Sequence, residues 1–78
     1  MTVKELVQVI AEALVDRPEE VKISEIEGDG IRVLELFVAA SDIGKVIGRQ
    51  GRTADAIRTL VNAASGKEKK RTILQIND

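Results

Sequence analysis

Apolar residues recur at helical spacing near the start of the chain, alternate at strand spacing through its middle, return to helical spacing, and close on a second short alternation. Val3, Leu6, Val7, Ile10, Ala13 and Leu14 fall on one face of a first helix. Thr2 is placed to cap it, and Glu5 follows at the spacing of a capping box. Arg17-Pro18 ends it, because proline lacks an N–H and restricts the residue before it. Val21 to Glu27 and Ile31 to Ala39 read as two antiparallel strands joined by Gly28-Asp29-Gly30, whose glycines suit a hairpin with positive backbone angles. In the second strand Leu34, Leu36 and Val38 share one face and Val33, Glu35 and Phe37 the other, the pattern of a sheet covered on one side that leaves Phe37 exposed.

Ser41 or Asp42 is placed to cap a short helix that offers Ile43, Val46 and Ile47 to the core and stops at Gly48. After a loop, Thr53 begins a longer helix that buries Ile57, Leu60, Val61 and Ala64 and ends at Gly66, a residue suited to terminating helices. Lys67 to Arg71 forms a basic turn, and Thr72 to Ile76 a last strand with Leu74 and Ile76 on one face and Ile73 and Gln75 on the other. A strand, helical crossover and strand normally run parallel with a right-handed connection, so the last strand is expected beside the second and parallel to it. The predicted class is α+β: one domain, residues 1–78, in the order α-β-β-α-α-β, with helices packed on one face of a three-stranded mixed sheet.

Composition narrows the chemistry. The 78 residues include no cysteine and no histidine, so thiolate and imidazole metal sites and the usual proton shuttle are excluded, and no metal or cofactor is expected. The opening residues carry charge early and form no unbroken apolar run, so neither a signal peptide nor a spanning helix is expected; the simplest location is the cytoplasm, away from membranes. Net charge is only −1, but residues 1–42 sum to −6 and residues 43–78 to +5. A locally positive half attracts a polyanion while the acidic half weakens non-specific adhesion, which favours selective binding.

The positive half holds Val46-Ile47-Gly48-Arg49-Gln50-Gly51-Arg52-Thr53, two glycines three apart with polar and charged residues between and after them, set between two helices. With Ile57 six places beyond the second glycine, and with the strand pair before it, this stretch resembles the GXXG region of a KH domain of the type II, bacterial order. The likeness covers nearly the whole chain. In size it is similar to the small single-domain family called KH-domain protein A. That resemblance implies binding of single-stranded RNA, a role as RNA chaperone or post-transcriptional regulator, partnership with a longer KH protein of the Jag type, and a link to cell elongation and shape. Ala54 departs from the larger aliphatic residue common at its position in such domains, which implies a shallower groove wall or an altered base preference.

Physical chemistry supplies a reason for such a loop. Gly48 and Gly51 let main chain approach a sugar-phosphate backbone, and the open amino end of the helix near Thr53 favours negative charge. Lys45, Arg49 and Arg52 add charge contacts, Gln50 a hydrogen bond, and Ile43, Ile47 and Ile57 border a groove for about four unpaired nucleotides. Each of these also has an ordinary reading: glycines as helix terminator and turn, arginines as solvated surface, isoleucines as core, and Lys67 to Arg71 as a solvated turn rather than an auxiliary phosphate contact.

Base stacking on aromatic rings is excluded as the main recognition mode, since Phe37 is the sole aromatic residue. Modest affinity and loose sequence preference follow, and a homodimer would compensate through effective concentration. Two other classes stay in view: a protein adapter that keeps the fold and makes contact through Phe37 and apolar helix residues, and an enzyme. Gly44, Gly48 and Gly51 do not satisfy a phosphate-loop or dinucleotide pattern, and Asp42 and Asp55 are better explained by capping and solvation than by a metal, so catalysis is not expected.

Overall fold

A computed structural model describes residues 1–78. The first helix, α1 (Val3–Leu14), opens on the expected capping box: Thr2 N–H donates to Glu5 Oε1 at 2.9 Å and Glu5 N–H donates to Thr2 Oγ1 at 3.1 Å. Its buried stripe is Val3, Val7 and Ala11, with Leu6 and Ile10 half-buried; Ala13 and Leu14, expected inside, are exposed. Val15 leaves the helix in an extended conformation and buries its side chain, so the helix ends before Arg17 and Pro18 instead starts a separate short turn, Pro18–Glu20.

Strands β1 (Lys22–Gly28) and β2 (Ile31–Phe37) pair antiparallel in a register that sets Gly28 opposite Ile31. The hairpin loop is therefore only Asp29-Gly30, and of the two only Gly30 takes a positive φ, +69°. β3 (Arg71–Asn77) lies parallel to β2 with Leu34 opposite Leu74, so β2 is the central strand, as expected from the crossover rule. Leu34, Leu36 and Val38 are buried on one face, and Val33, Glu35 and Phe37 on the other are half-buried. Phe37 is thus less exposed than alternation implied; its sheet neighbours Lys22 and Asn77 flank it.

The crossover is built from α2 (Ile43–Ile47) and α3 (Arg52–Ser65). Val46, Ile57 and Val61 join Val3, Val7, Ala11, Leu34, Leu36 and Leu74 in one aliphatic core. Ala54 and Ser65 are also buried on α3, whereas Leu60, expected inside, is 53% exposed. The packed stripe advances in steps of three and four from Ala54 through Ile57 and Val61 to Ser65, which turns Leu60 outward. Gly66 does not terminate α3 in a left-handed conformation. It stays right-handed (φ −58°), the chain continues through a tight turn, Gly66–Glu68, and Lys69 is the left-handed residue (φ +57°). Ser65 and Thr72 hydroxyls meet at 2.5 Å inside the fold and tie the end of α3 to β3.

Neither Ser41 nor Asp42 caps α2. The Asp42 carboxylate is fully buried and turns back to the end of α1, where Oδ1 accepts from Asp16 N–H at 3.2 Å and Oδ2 from Arg17 N–H at 3.1 Å. Burial pushes its pKa up, but these two donors and Lys45 outweigh burial and hold it below the ordinary carboxylate value. A folded pKa below the unfolded one stabilises the fold above the unfolded value of about 4, and that contribution is lost as pH falls through the folded value. Asp42→Asn is therefore expected to melt several degrees below the parent at pH 7, since one amide cannot accept both N–H groups, and the gap is expected to shrink as pH falls below about 4. Thermal melts of both proteins across pH test this; a gap that persists unchanged at the acid end would remove the carboxylate from the explanation.

Candidate nucleic-acid interface

Three of the four residues between α2 and α3 hold positive φ: Gly48 at +77°, Gln50 at +56° and Gly51 at +75°. The two glycines serve different ends. Gly48 has ψ 173°, a combination essentially confined to glycine, and a Cβ there would lie 2.2 Å from Thr53 Oγ1. Gly51 has ψ 10°, in the left-handed helical region, and a Cβ there would meet nothing within 4 Å. The loop is closed by Gly48 N–H donating to Gly44 O at 2.9 Å and Gly51 N–H donating to Gly48 O at 3.1 Å.

Gly51 occupies the cap position of α3 and no side chain caps that helix end; Arg52 N–H donates to Arg49 O, and the positive end of the helix dipole lies beside the loop. Arg49, Gln50 and Arg52 are exposed, and neither arginine takes part in an ion pair. The amino end of α3, two uncommitted guanidinium groups and a glycine with open space around it are thus gathered in one short segment. Such a set can hold an anionic chain at close range.

Gly48, Arg49, Gln50, Gly51, Arg52 and Thr53 lie together in that segment. Lys45 is on α2 and its ammonium is engaged elsewhere, 2.7 Å from Asp16 Oδ2 and 3.4 Å from Asp42 Oδ1; the bond to Asp16 is the main cause of its raised pKa. Ile47 is half-buried. Ile57 is 3% exposed and belongs to the core, so it offers almost no surface to a ligand. Ala54 is equally buried, in the first turn of α3.

Two features lie outside the glycine motif. Arg58, next to Ile57 on α3, reaches β3 and donates from Nη2 to Leu74 O at 3.4 Å, with Asp55 3.5 Å from Nη1. Asp42 fixes the start of α2 through partners 25 and 26 residues away. Helical position alone could have placed Arg58 toward the sheet; nothing local points Asp42 at Asp16 and Arg17. No concavity is lined by the loop, and the largest, about 520 Å³, lies at the start of α1 against Glu25, Glu27, Arg32 and Glu68. No helix is long and apolar enough to cross a membrane.

Residues 4–76 match the family described as KhpA/KhpB, KH domain. The chain is 60% identical over 72 residues to the RNA-binding protein KhpA of Caldanaerobacter subterraneus subsp. tengcongensis, covering 92% of this chain and 96% of that protein. It is 53% identical over 73 residues to the RNA-binding protein KhpA of Clostridium perfringens (94% and 97% covered) and 50% identical over 74 residues to that of Borreliella burgdorferi (95% and 90% covered). No solved structure matches significantly.

Proposed function

The chain belongs to the KhpA/KhpB family of KH-domain proteins, a non-enzymatic family with relatives named RNA-binding proteins, and we propose from that premise that it grips single-stranded RNA through the loop at Gly48 to Gly51. The observation that carries the reading is the loop itself: glycine-only backbone at Gly48, unpaired Arg49 and Arg52, and the uncapped start of α3 in one place. Arg49 and Arg52 meet phosphates, Gln50 hydrogen-bonds a sugar or base edge, and Gly51 admits the strand to the first-turn N–H groups, joined by Thr53. Lys45 holds α2 to the end of α1, and Ile47 and Ile57 brace the loop.

Without a stacking platform, the grip is loose in sequence and suited to an RNA chaperone or post-transcriptional regulator acting on many transcripts in the cytoplasm, in a process linked to cell elongation and shape. The joint family name supports pairing with a longer KH protein of the KhpB, or Jag, type. A homodimer would raise avidity, and exposed Leu60 and Val9 supply apolar surface for either assembly.

Titration of the labelled protein with an unpaired oligoribonucleotide tests the reading. Amide resonances of residues 48–53 are expected to move first and furthest, and affinity to fall as salt rises, with a log–log slope of about −0.7 for each phosphate neutralised. Resonances of the loop that stay fixed while RNA binds elsewhere, or no binding at all, would sink it. Ribonuclease-insensitive capture of a partner by a chain that fails this titration would favour the adapter reading instead.

A further inference from the structure

α2 is only five residues long, and a helix that short draws its direction from its neighbours rather than from its own hydrogen bonds. The loop hangs from its far end, about 7.5 Å of helical rise beyond its start. On the apolar side Val46 is fully buried and Ile43 packs against the core. On the polar side a ring of three residues holds the helix. Asp42, immediately before α2, accepts from Asp16 N–H at 3.2 Å; Asp16 Oδ2 in turn accepts from Lys45 Nζ at 2.7 Å; and the same ammonium lies 3.4 Å from Asp42 Oδ1.

One side of this ring is anchored. Val15 is buried in an extended conformation, and Asp42 takes a second main-chain donor from Arg17 at 3.1 Å, so the chain leaving α1 forms a fixed corner. Lys45 is the side chain of α2 that reaches this corner. One ammonium shared by two carboxylates is a group of net charge −1, which offers a phosphate no net attraction. Lys45 thus differs from Arg49 and Arg52, which have no ionic partner. The Asp16 side chain is 75% exposed, and its contact is with Lys45.

Resting on the loop reading above, we infer that Asp16 and Lys45 are positioning residues for the loop: the ring they close with Asp42 sets the direction of α2, so that an exposed acid on the corner after α1 raises RNA affinity without touching RNA. Apparent affinity scales with the fraction of molecules that hold the binding geometry. Opening the ring lets α2 pivot on Val46 and Ile43, and the loop at its end spends less time in that geometry. The chemistry of the loop itself is untouched.

The test uses an oligouridylate and the variants D16A, D16E and K45M. D16A keeps the main-chain N–H that Asp42 uses and removes only the carboxylate. Charge alone predicts tighter binding by D16A, since the chain loses a negative charge. Positioning predicts the reverse: D16A binds on the order of threefold more weakly with its salt slope unchanged, resonances of residues 48–51 are displaced before RNA is added, and D16E binds close to the parent. K45M loses about as much, also with an unchanged slope, and D16A/K45M is no weaker than K45M, because the two residues act through one contact. D16A and K45M are expected to melt close to the parent, which separates weaker binding from unfolding. D16A that binds as tightly as the parent or more tightly, or a K45M slope flatter by about 0.7, the mark of a lost phosphate contact, overturns the positioning role and leaves the loop reading standing. A parent whose loop resonances stay fixed as RNA binds overturns the loop reading and this one with it.

Discussion

Alanine in place of Gly48 is expected to destabilise the domain by about 2–6 kcal/mol, whereas alanine in place of Gly51 costs only about 1–2 kcal/mol. The difference comes from two additive terms at Gly48. Its φ of +77° with ψ 173° lies in a region essentially closed to side chains, which costs about 1–3 kcal/mol. The new Cβ would also sit 2.2 Å from Thr53 Oγ1, 2.6 Å from Thr53 Cβ and 2.9 Å from Thr53 N. No rotamer of Thr53 clears a contact with its own Cβ and main chain, so the first turn of α3 must shift, an overpacking cost of about 1–3 kcal/mol. Gly51 carries only the left-handed term, because open space surrounds it. A chain of 78 residues has roughly 4–12 kcal/mol of total stability, so Gly48→Ala removes the larger share of it. At about 4–8 °C per kcal/mol for a domain of this size, the two melting points should be well separated. Thermal or urea unfolding of both variants decides it: equal losses would mean that Thr53 does not pack across Gly48 as described.

That asymmetry could not be read from two glycines three apart. Spacing identified a loop between helices, while the distinction depends on Thr53 folding back over Gly48, a contact made only when α3 starts at Arg52. Features set by local pattern and by the crossover rule were legible: the Thr2–Glu5 box, a hairpin around Gly28-Asp29-Gly30 that the register tightens to Asp29-Gly30, the alternation in β2 and the parallel return of β3. Periodicity fixed which elements are amphipathic but not where each stripe is centred, so Ala13, Leu14 and Leu60 were drawn inward and Ala54 and Ser65 left out. Charged residues were harder still. Asp42, Arg32 and Lys45 look like ordinary surface charges in one dimension; Lys45 is near Asp42 in sequence and Glu25 and Glu27 are near Arg32, but the main-chain donors to Asp42 lie 25 and 26 residues away, Asp16 lies 29 from Lys45 and Glu68 lies 36 from Arg32. A charge is buried or cancelled only by what the fold brings to it, and the loop is therefore more sharply defined by which cations lack such partners than by the positive half of the chain as a whole.

Exchange of both Arg49 and Gln50 for aspartate should then remove RNA binding and leave the fold in place. The two substitutions change the loop by three units of negative charge, at positions that are exposed and in no ion pair. At about 1 kcal/mol per unit for charges 4 Å apart in water, the strand loses roughly 3 kcal/mol, on the order of 100-fold in affinity. Folding is spared for a conformational reason. Gln50 already sits at φ +56°, and aspartate tolerates the left-handed region better than glutamine does, so R49D/Q50D should melt close to the parent. Affinity for an oligoribonucleotide at moderate salt, measured beside a thermal melt, separates the two effects. Unaltered affinity in a folded R49D/Q50D protein would move the RNA site off the loop. Gly48→Ala and R49D/Q50D act within three residues of each other yet through different physics: one alters whether the loop can close against α3, the other only what charge it presents once closed, and the loss of binding in the second without loss of melting temperature is the result that ties recognition to the side chains at the loop's tip.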